Sequence, residues 1–488
     1  MDKDTKKIYD TMRNLFGIVQ KLDEEFIKKS EFSDVSRTEL HAMTAIGTGR
    51  PKTMTHVANI LEINVSTLTT TINKLVKKGY VERLRDDKDR RIVKIKLTAR
   101  GVLAAEAEEN FRASIVKEAV SQVPADKLRY FVSAIDNINR FFMTKSSMIY
   151  VKNTPFQMSP LALGENQLPV PIVSAGMGMG IAGARLASAV ALRGGLGLIG
   201  TSEIGSGSEL YRENPVKANM EAVKNAVSEA GDKVKAGRGK GLIGVTVMWG
   251  EPGSHRYAEI AAKAGAQVIV TSGSIPKDLP KYCVGKKVAL VPTVSSKRAA
   301  AAIIRSWSQR YNRIPDGFIL QGPFAAGMLG FKEEQLDRAE QEWYRIIADV
   351  KSELSKLENC PLIVGGGIFS KEDAETAYKY GADGFLMGTR FLTTEECDAP
   401  EDYKRLYLNC GKNDVTIIRS PMKTSVRAMK NKCSEKLSEY WPDDYDMFKA
   451  VRAGLDGDYD NGLIFCSSEM DRAESIESVE DVFREFTD

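Results

Sequence analysis

The sequence predicts two domains of different classes: a helix-rich winged helix-turn-helix followed by an α/β (β/α)8 barrel. Two observations predict them. Up to about residue 145 the chain reads as amphipathic helices and one alternating hairpin, whereas from residue 171 short apolar strands alternate with helices. A length of 488 residues accommodates two or three domains. We predict a winged-helix domain over residues 1–146 and a barrel domain over residues 147–488.

Composition is that of an ordinary globular protein, with 43% hydrophobic and 27% charged residues. No apolar run approaches the roughly 20 residues needed to cross a bilayer, and the charged N-terminus lacks a signal-peptide core. All six cysteines follow residue 280 and none forms a CxxC pair. This cysteine pattern is typical of a reducing compartment, so we expect a cytoplasmic protein without a metal site. The lack of a long apolar run predicts that no membrane is a partner.

Charge is distributed unevenly along the chain. Residues 1–100 carry 21 basic and 14 acidic side chains, a net charge of +7, which leaves −3 for the remainder. The basic excess is concentrated in residues 74–100. A polyanionic partner is therefore predicted for the N-terminal domain alone.

Residues 53–79 have helix-turn-helix spacing, with TMTHVANIL (53–61) followed, after a short turn, by STLTTTINKLVKKG (66–79). Leu68, Ile72, Leu75 and Val76 are assigned to the apolar face of the second helix. Its other face carries hydroxyl, amide and ammonium groups, which can reach base edges and phosphates in the major groove. The candidate DNA contacts on this helix are Ser66, Thr67, Thr70, Thr71, Asn73, Lys74 and Lys77.

A β-hairpin is predicted next, because residues 80–85 and 92–97 both alternate apolar and polar side chains. Its tip carries Lys88, Arg90 and Arg91, which makes a wing able to contact the minor groove or the phosphate backbone. The alternative to DNA binding is that the winged helix serves for contacts with other proteins.

Residues 36–101 resemble the MarR family of transcriptional regulators, through the DRR sequence of the wing (89–91) and the LTARG ending (97–101). Within that family, ELHAMTAIG (39–47) and the recognition-helix segment look most like the fatty-acid biosynthesis repressor FabT. The resemblance implies a homodimer that binds a pseudo-palindromic operator in double-stranded DNA.

The second domain contains eight short apolar strands separated by helices, a pattern that favours a (β/α)8 barrel with its site at the C-terminal ends of the strands. A doubly wound open sheet is the alternative, but no GxGxxG opens a helix to support it. The predicted strands are 171–175, 195–200, 241–248, 266–273, 288–294, 316–321, 361–367 and 383–388.

Glycine ends each of the last two strands. Gly365, Gly366 and Gly367 follow one strand, and Gly388 with Thr389 follows the next. Backbone N–H groups at two adjacent strand ends can converge on one anion, and barrels often hold a cofactor phosphate there. We therefore predict a phosphate-bearing ligand; plain tight turns are the alternative.

The barrel half resembles the nitronate monooxygenase family, to which the enoyl-ACP reductase FabK is related. The matching segments are PIVSAGM (171–177), GGLGLIG (194–200), QGP (321–323), the two glycine loops, VTIIRSP (415–421) and GLIFC (462–466). The resemblance implies FMN as cofactor, NAD(P)H as reductant, and an acyl thioester or a nitronate as substrate. The cofactor contacts that it implies are Gly176, Met177, Gln321, Gly365, Gly366, Gly367, Gly388 and Thr389, together with Thr246, which replaces the family's usual Asn in the third strand.

One departure from the family bears on catalysis. The family's usual Gly-Gly-His-Leu-Gly run after the sixth strand reads AGMLG (326–330) here, so Met328 occupies the place of the catalytic histidine. A thioether cannot exchange a proton. His255, in the loop after the third strand, is the remaining candidate for the acid–base residue. The alternative is that His255 is a solvated loop residue without a catalytic role.

Two functions remain open from the sequence. One is an FMN-dependent oxidoreductase connected with fatty-acid synthesis and fused to a DNA-binding regulator. The other is a regulator whose barrel senses FMN or an acyl ligand without turnover. Residues 398–461 are polar and irregular in pattern, and we interpret them as a decoration of the barrel, serving as a lid or a dimer contact.

Overall fold

The computed structural model describes residues 3–49, 51–61, 65–85, 93–121, 123–124, 127–128, 131–132, 134–135, 155–285, 287–419, 425–442 and 445–487. The chain forms two compact units, Met1–Asp136 and Asn137–Asp488. The domain boundary at residues 146 and 147 falls outside the described residues and stays a prediction.

The N-terminal unit has the predicted winged helix-turn-helix fold. Its strands form one antiparallel sheet in the order β1-β3-β2, in which Leu84 pairs with Lys94. The elements are α1 (Lys3–Lys29), α2 (Arg37–Ile46), β1 (Lys52–Thr53), α3 (Met54–Ile60), α4 (Val65–Lys77), β2 (Val81–Arg85), β3 (Val93–Leu97) and α5 (Ala99–Ser121).

The start of α2 is fixed by a capping box. The Ser36 hydroxyl accepts a hydrogen bond from the Glu39 backbone N–H at 3.3 Å, and the Glu39 carboxylate accepts one from the Ser36 N–H at 2.7 Å. The same carboxylate pairs with Lys78 at 2.7 Å. This pairing anchors the chain just beyond the C-terminal end of α4 on α2.

Helix α4 buries most of its predicted apolar face. Leu68, Ile72 and Leu75 are fully buried. The assignment of Val76 to that face was wrong, since its side chain is 38% exposed. Val76 follows Leu75 directly and therefore lies about 100° further round the helix, away from the core.

The second unit is a closed barrel of eight parallel strands, which confirms the (β/α)8 prediction and excludes the open sheet. Pairing of Phe385 with Ile172 joins the last strand to the first. The barrel strands are β6 (Ile172–Ser174), β7 (Leu196–Gly200), β8 (Leu242–Trp249), β9 (Val268–Gly273), β10 (Ala289–Val294), β11 (Phe318–Gln321), β13 (Leu362–Gly365) and β14 (Gly384–Met387).

Helices alternate with the barrel strands, and further helices follow the last barrel strand. Those described are α6 (Ala184–Leu192), α7 (Glu209–Glu213), α8 (Pro215–Ala236), α9 (Ser254–Ala264), α10 (Leu279–Tyr282), α11 (Lys297–Tyr311), α12 (Glu333–Gln341), α13 (Trp343–Leu354), α14 (Lys371–Lys379), α15 (Thr389–Leu392), α16 (Glu401–Leu408), α17 (Lys432–Glu439), α18 (Met447–Leu455) and α19 (Val479–Thr487).

The interior of the barrel is a packed apolar core. Every second residue of a strand points inward, and inward side chains such as Val173, Leu198 and Val270 form one buried cluster. A hairpin of β4 (Leu161–Leu163) and β5 (Asn166–Leu168), which the sequence pattern did not reveal, contributes its leucines to the same cluster. Because side chains of the described strands fill the interior, the barrel has no central channel for a ligand. The barrel therefore offers a ligand the mouth, where the strands end.

Residues 398–461 contain regular elements that the polar, irregular sequence pattern did not reveal. This stretch contains helices and a hairpin of β15 (Val415–Arg419) and β16 (Ser425–Met429). Strand β16 also pairs with β12 (Gly327–Met328), a short strand in the loop after the sixth barrel strand. All five residues of β16 are buried, so the alternation by which a strand is identified from sequence is missing.

No helix in the described part of the chain combines the length and the apolar character needed to cross a membrane.

Candidate active site

A buried hydroxyl without a partner lies at the mouth of the barrel. Thr246 is an even number of residues beyond the inward-pointing Leu242 on β8, so its side chain also faces inward, nearer the C-terminal end. Its Oγ1 is buried and has no hydrogen-bond partner among the described residues. Since buried polar groups are almost always satisfied, this atom favours a polar ligand beside it.

Gly176 lies against this threonine. A Cβ on Gly176 would approach Thr246 Cβ to 2.6 Å and would collide with its hydroxyl. The next residue, Met177, is half-buried, and its carbonyl accepts a hydrogen bond from Ala182 N–H at 3.1 Å. The structure therefore brings together three of the predicted cofactor contacts, Gly176, Met177 and Thr246, across neighbouring strand ends.

The first glycine loop packs on the loop that follows β11. Gly366 and Gly367 have φ angles of 84° and 93°, in the left-handed region that favours glycine. A Cβ on Gly367 would lie 2.9 Å from the Phe324 ring, and Gly322 N–H donates to Gly365 O at 2.7 Å. Only glycine allows this close approach of the two backbones.

The second glycine loop is less crowded than the first, and a side chain at Gly388 would make an ordinary van der Waals contact. A Cβ on Gly388 would meet nothing closer than the Ala175 Cβ at 3.7 Å. Strands β13 and β14 are neighbours, with Gly365 paired to Leu386, so both glycine loops end at the same part of the mouth. The two loops are therefore adjacent, and their binding of one shared anion stays a prediction.

Thr389 has a partner that sequence reasoning missed. Its Oγ1 lies 2.8 Å from the Oγ of Ser467, which follows the barrel and is nearly buried. The GLIFC motif at residues 462–466 ends one position before Ser467. That motif was the only sequence signal near this residue.

The loop that carries Met328 is held from two sides. Gln321 Nε2 donates to the Met328 carbonyl at 3.1 Å, and β12 pairs with β16 through Met328 and Val426. Arg427 reinforces the same loop, because its guanidinium donates to the carbonyls of Pro323 and Ala325. Met328 itself is half-buried.

His255 lies on the rim of the barrel. It is half-buried near the start of α9, and its ring centroid is 5.0 Å from that of Tyr282 in α10. The structure thus places His255 against an aromatic neighbour. No described contact joins its ring to Gln321 or Met328.

Glu251 is a second group that the sequence did not single out. It follows β8, and its Oε1 is buried without a hydrogen-bond partner among the described residues. Burial raises the pKa of its carboxyl to about 7, with a further rise caused by Glu203, while the Ser202 hydroxyl opposes these effects. A neutral carboxylic acid is therefore expected here below neutral pH.

We expect Glu251→Gln to stabilise the barrel above neutral pH. The folded-state pKa exceeds the unfolded value of 4.5, so the folded protein retains a proton that the unfolded chain releases, and stability falls as pH rises from about 4.5 to 7. The variant should gain on the order of 2 kcal/mol in unfolding free energy at pH 8 and nothing at pH 4. Urea unfolding followed by tryptophan fluorescence measures this, since all four tryptophans lie in the barrel half.

The matched control for that measurement is Glu229→Gln on the exposed surface of α8. Its partner is Lys233 at 2.7 Å, with the Glu229 side chain 57% exposed. We expect a change within about 0.5 kcal/mol. A Glu251→Gln variant that is less stable than the parent at pH 8 would contradict the assignment of a strained buried carboxyl.

Helix α4 presents most of its predicted DNA contacts to solvent. Thr67, Thr70, Asn73, Lys74 and Lys77 are exposed, whereas Thr71 is half-buried. The side chain of Ser66 and the predicted wing-tip residues Lys88, Arg90 and Arg91 lie outside the described residues.

A side-chain hydrogen bond joins this helix to the wing. Arg83, in β2, donates from Nη2 to the Asn73 Oδ1 at 2.7 Å. Sequence reasoning missed Arg83, because only the folded hairpin brings the strand beside α4. The bond fixes the orientation of the Asn73 amide on the exposed face.

Comparison with known protein families gives two matches. The family model described as "Nitronate monooxygenase" matches residues 163–488, and the model described as "MarR family" matches residues 35–93. The HTH-type transcriptional regulator YpoP of Bacillus subtilis is 31% identical over 100 residues, which cover 20% of this chain and 68% of YpoP.

Two further similarities concern the barrel. A (3aS,4S,5R,7aS)-5-hydroxy-7a-methyl-1-oxo-octahydro-1H-indene-4-carboxyl-CoA dehydrogenase of Mycobacterium tuberculosis is 25% identical over 267 residues. The match covers 55% of this chain and 65% of the dehydrogenase, so the chain spans less than two thirds of that relative. The structure of FabK from Thermotoga maritima aligns with a TM-score of 0.52 and 20% identity over 65% of this chain and 92% of FabK, which supports the barrel fold.

The barrel fold and its glycine loops agree with the family match over residues 163–488. The winged-helix fold agrees with the MarR-family match and with the similarity to YpoP. The chain belongs to the nitronate monooxygenase family and carries a MarR-family domain at its N-terminus.

Proposed function

We propose that the barrel is an FMN-dependent oxidoreductase that uses NAD(P)H to reduce an enoyl thioester. The observation that carries this proposal is the unpartnered Thr246 hydroxyl beside Gly176, at the same mouth as two glycine loops. A flavin presents polar ring atoms and a phosphate, and the residues at this mouth fit both. When bound, FMN supplies hydride chemistry.

The residues divide into two groups by their place in the mouth. Gly365, Gly366, Gly367, Gly388 and Thr389 would hold the phosphate, with backbone N–H groups as the main donors. Gly176, Met177, Thr246 and Gln321 would contact the ring. The half-buried side chain of Met177 would limit the access of water to the ring.

A thioester is favoured over a nitronate as substrate. Nitronate oxidation depends on the acid–base residue that Met328 cannot replace. In addition, the Mycobacterium tuberculosis relative is named for a CoA thioester. Reduction of an activated double bond makes a smaller demand on the protein, since the hydride comes from the cofactor and water can supply the proton.

Anaerobic flavin reduction tests this function. FMN-loaded protein is mixed with NADPH or NADH and then with crotonyl or a longer enoyl thioester, while the flavin absorbance is followed. We expect bleaching by the nicotinamide and recovery when the thioester is added. Bound FMN that neither nucleotide bleaches would contradict the proposal and would favour a sensor without turnover.

The N-terminal domain supplies the second function that we propose: binding of a homodimer to a pseudo-palindromic operator in double-stranded DNA, in the control of fatty-acid synthesis. Support comes from the MarR-family match and from the exposed Thr67, Lys74 and Lys77 on α4. Binding of FMN or an acyl thioester to the barrel would change operator affinity only if it distinguishes two states of the protein.

We expect Lys74→Ala and Lys77→Ala to flatten the salt dependence of DNA binding. Each phosphate contact contributes about 0.9 to the slope of log K against log salt, so each substitution should lower the slope of a dimer by about 1.8. Fluorescence anisotropy of promoter DNA at several salt concentrations measures the slope. The control is Lys29→Ala, an exposed lysine of α1 paired with Glu25 at 3.1 Å, which should leave the slope unchanged. An affinity that does not vary with salt in the parent protein would contradict DNA binding through phosphates.

A further inference from the structure

One segment after the barrel touches all three loops around the proposed phosphate position. We name residues 467–485 the C-terminal strap. Ser468 N–H donates to the Phe324 carbonyl at 3.2 Å, in the loop after β11. Arg472 Nη2 donates to the Ser370 hydroxyl at 3.1 Å, in the loop after β13. The strap reaches the loop after β14 through its first residue, Ser467, as described above.

Among the described residues, the hydroxyls of Thr389 and Ser467 together retain one hydrogen without an acceptor. They lie 2.8 Å apart, and the Ser467 oxygen also accepts a hydrogen bond from Glu469 N–H at 3.3 Å. A hydroxyl carries one hydrogen, so the pair has two, of which one is used between them whichever group donates. The other hydrogen belongs to whichever hydroxyl accepts the bond between them: Ser467 is 8% exposed and Thr389 is half-buried. An unused donor in such a position favours an acceptor on a ligand.

Two further cations beside these loops, Arg390 and Arg472, are balanced by carboxylates. Arg390 pairs with Glu477 at 2.8 Å and with Glu485 at 2.7 Å. The Nε of Arg390 is buried without a partner among the described residues. The positive charge of the guanidinium is nevertheless balanced by the two carboxylates.

Arg472 is balanced in the same way. It pairs with Asp373 at 2.9 Å and with Glu469 at 3.3 Å. Both guanidinium groups also lie near the Phe369 ring, at 4.8 Å for Arg390 and 5.0 Å for Arg472. The strap therefore neutralises the charge beside the loops, which leaves neutral hydroxyl and backbone donors to bind an anion.

We propose that Ser467 is a ligand of the cofactor phosphate and acts with Thr389 as a hydroxyl pair, so that the C-terminal strap completes the cofactor site. This inference rests on the proposed binding of FMN. It assigns the strap a role in recognition of the phosphate monoester, and not only in packing against the barrel.

The test compares FMN with riboflavin, which has the same ring and ribityl chain but no phosphate. Dissociation constants are measured by quenching of flavin fluorescence on the full-length protein and on the Ser467→Ala, Thr389→Ala and double variants. We expect each single variant to weaken FMN binding by about 10-fold, the usual range for a hydrogen bond to a charged group. The double variant should lose little more, because the two hydroxyls act as one unit. Riboflavin binding should be unchanged throughout.

Two further variants complete the design. Ser478→Ala removes a strap hydroxyl that donates to Asp481 at 2.6 Å in an exposed position, and it should leave FMN binding unchanged. Ser467→Thr retains the hydroxyl and should keep the preference for FMN over riboflavin.

Failures of the inference and of the proposed function are distinguishable. A Ser467→Ala variant that binds FMN as tightly as the parent, or that loses FMN and riboflavin equally, overturns the role of Ser467. A parent protein that binds neither flavin overturns the proposed function, and the inference with it.

Discussion

Replacing Met328 with histidine is expected to raise thioester-dependent turnover by about 100-fold, the lower end of the range for a positioned acid–base group. The loop is already ordered for such a group, because Gln321 and β16 both hold the backbone of Met328. The imidazole would place a proton donor where the family has one. Stopped-flow recovery of pre-reduced flavin with an enoyl thioester measures the rate, and its pH profile should acquire a step near the ordinary histidine pKa of about 6.5.

Met328→Leu is the matched control for this gain. It keeps an apolar side chain of similar volume and adds no titratable group, so the rate and its pH profile should stay those of the parent. If Met328→His retains FMN but is no faster than Met328→Leu, proton delivery does not limit turnover. Water would then be a sufficient proton source.

Replacing Arg427 with methionine is expected to lower the unfolding free energy of the barrel by about 3 kcal/mol. The guanidinium is only 5% exposed and pairs with Glu340 at 2.9 Å, while it also donates to the carbonyls of Pro323 and Ala325. Methionine fills a similar volume but leaves these acceptors without a donor. Urea unfolding monitored by tryptophan fluorescence measures the loss. FMN affinity should fall as well, because the affected loop packs against Gly366 and Gly367.

The comparison for Arg427 is Arg338→Met on α12. Arg338 makes an ion pair of similar length with Glu342, at 3.0 Å, but its side chain is 74% exposed. Exposed pairs contribute little, so we expect a change below about 0.5 kcal/mol. Equal losses in the two variants would show that burial of Arg427 does not determine its contribution.

The barrel was predictable because its strands carry their signal locally. Strands such as Leu242–Trp249 and Ala289–Val294 are apolar runs bounded by polar or glycine residues, and parallel strands covered on both faces have this pattern. The hairpin Leu161–Leu168 was missed because each of its strands has only three residues. Such short strands do not establish a period.

In the candidate site, too, the features with a local sequence signal were predicted and those without one were missed. The glycine loops lie at strand ends, so their position followed from the predicted strands, whereas Gly176 and Gln321 were assigned through the family resemblance. Ser467 and Glu251 could not be found in this way, because their importance comes from partners distant in the chain or from burial. The Thr389–Ser467 contact joins residues 78 positions apart, and no local pattern predicts it.

Closure of the barrel also has a consequence for synthesis. The pairing of Ile172 with Phe385 joins the two ends of the barrel, so the first strand must wait for the last to leave the ribosome. The winged helix needs no residue beyond its own unit for its described sheet, and it can fold much earlier. At about 5–20 residues per second, the closing strand follows the end of α5 by roughly 10 to 50 seconds. During that interval a nascent chain can present a finished DNA-binding unit while the barrel strands are still unpaired, so the barrel half is the part exposed to aggregation and to chaperones.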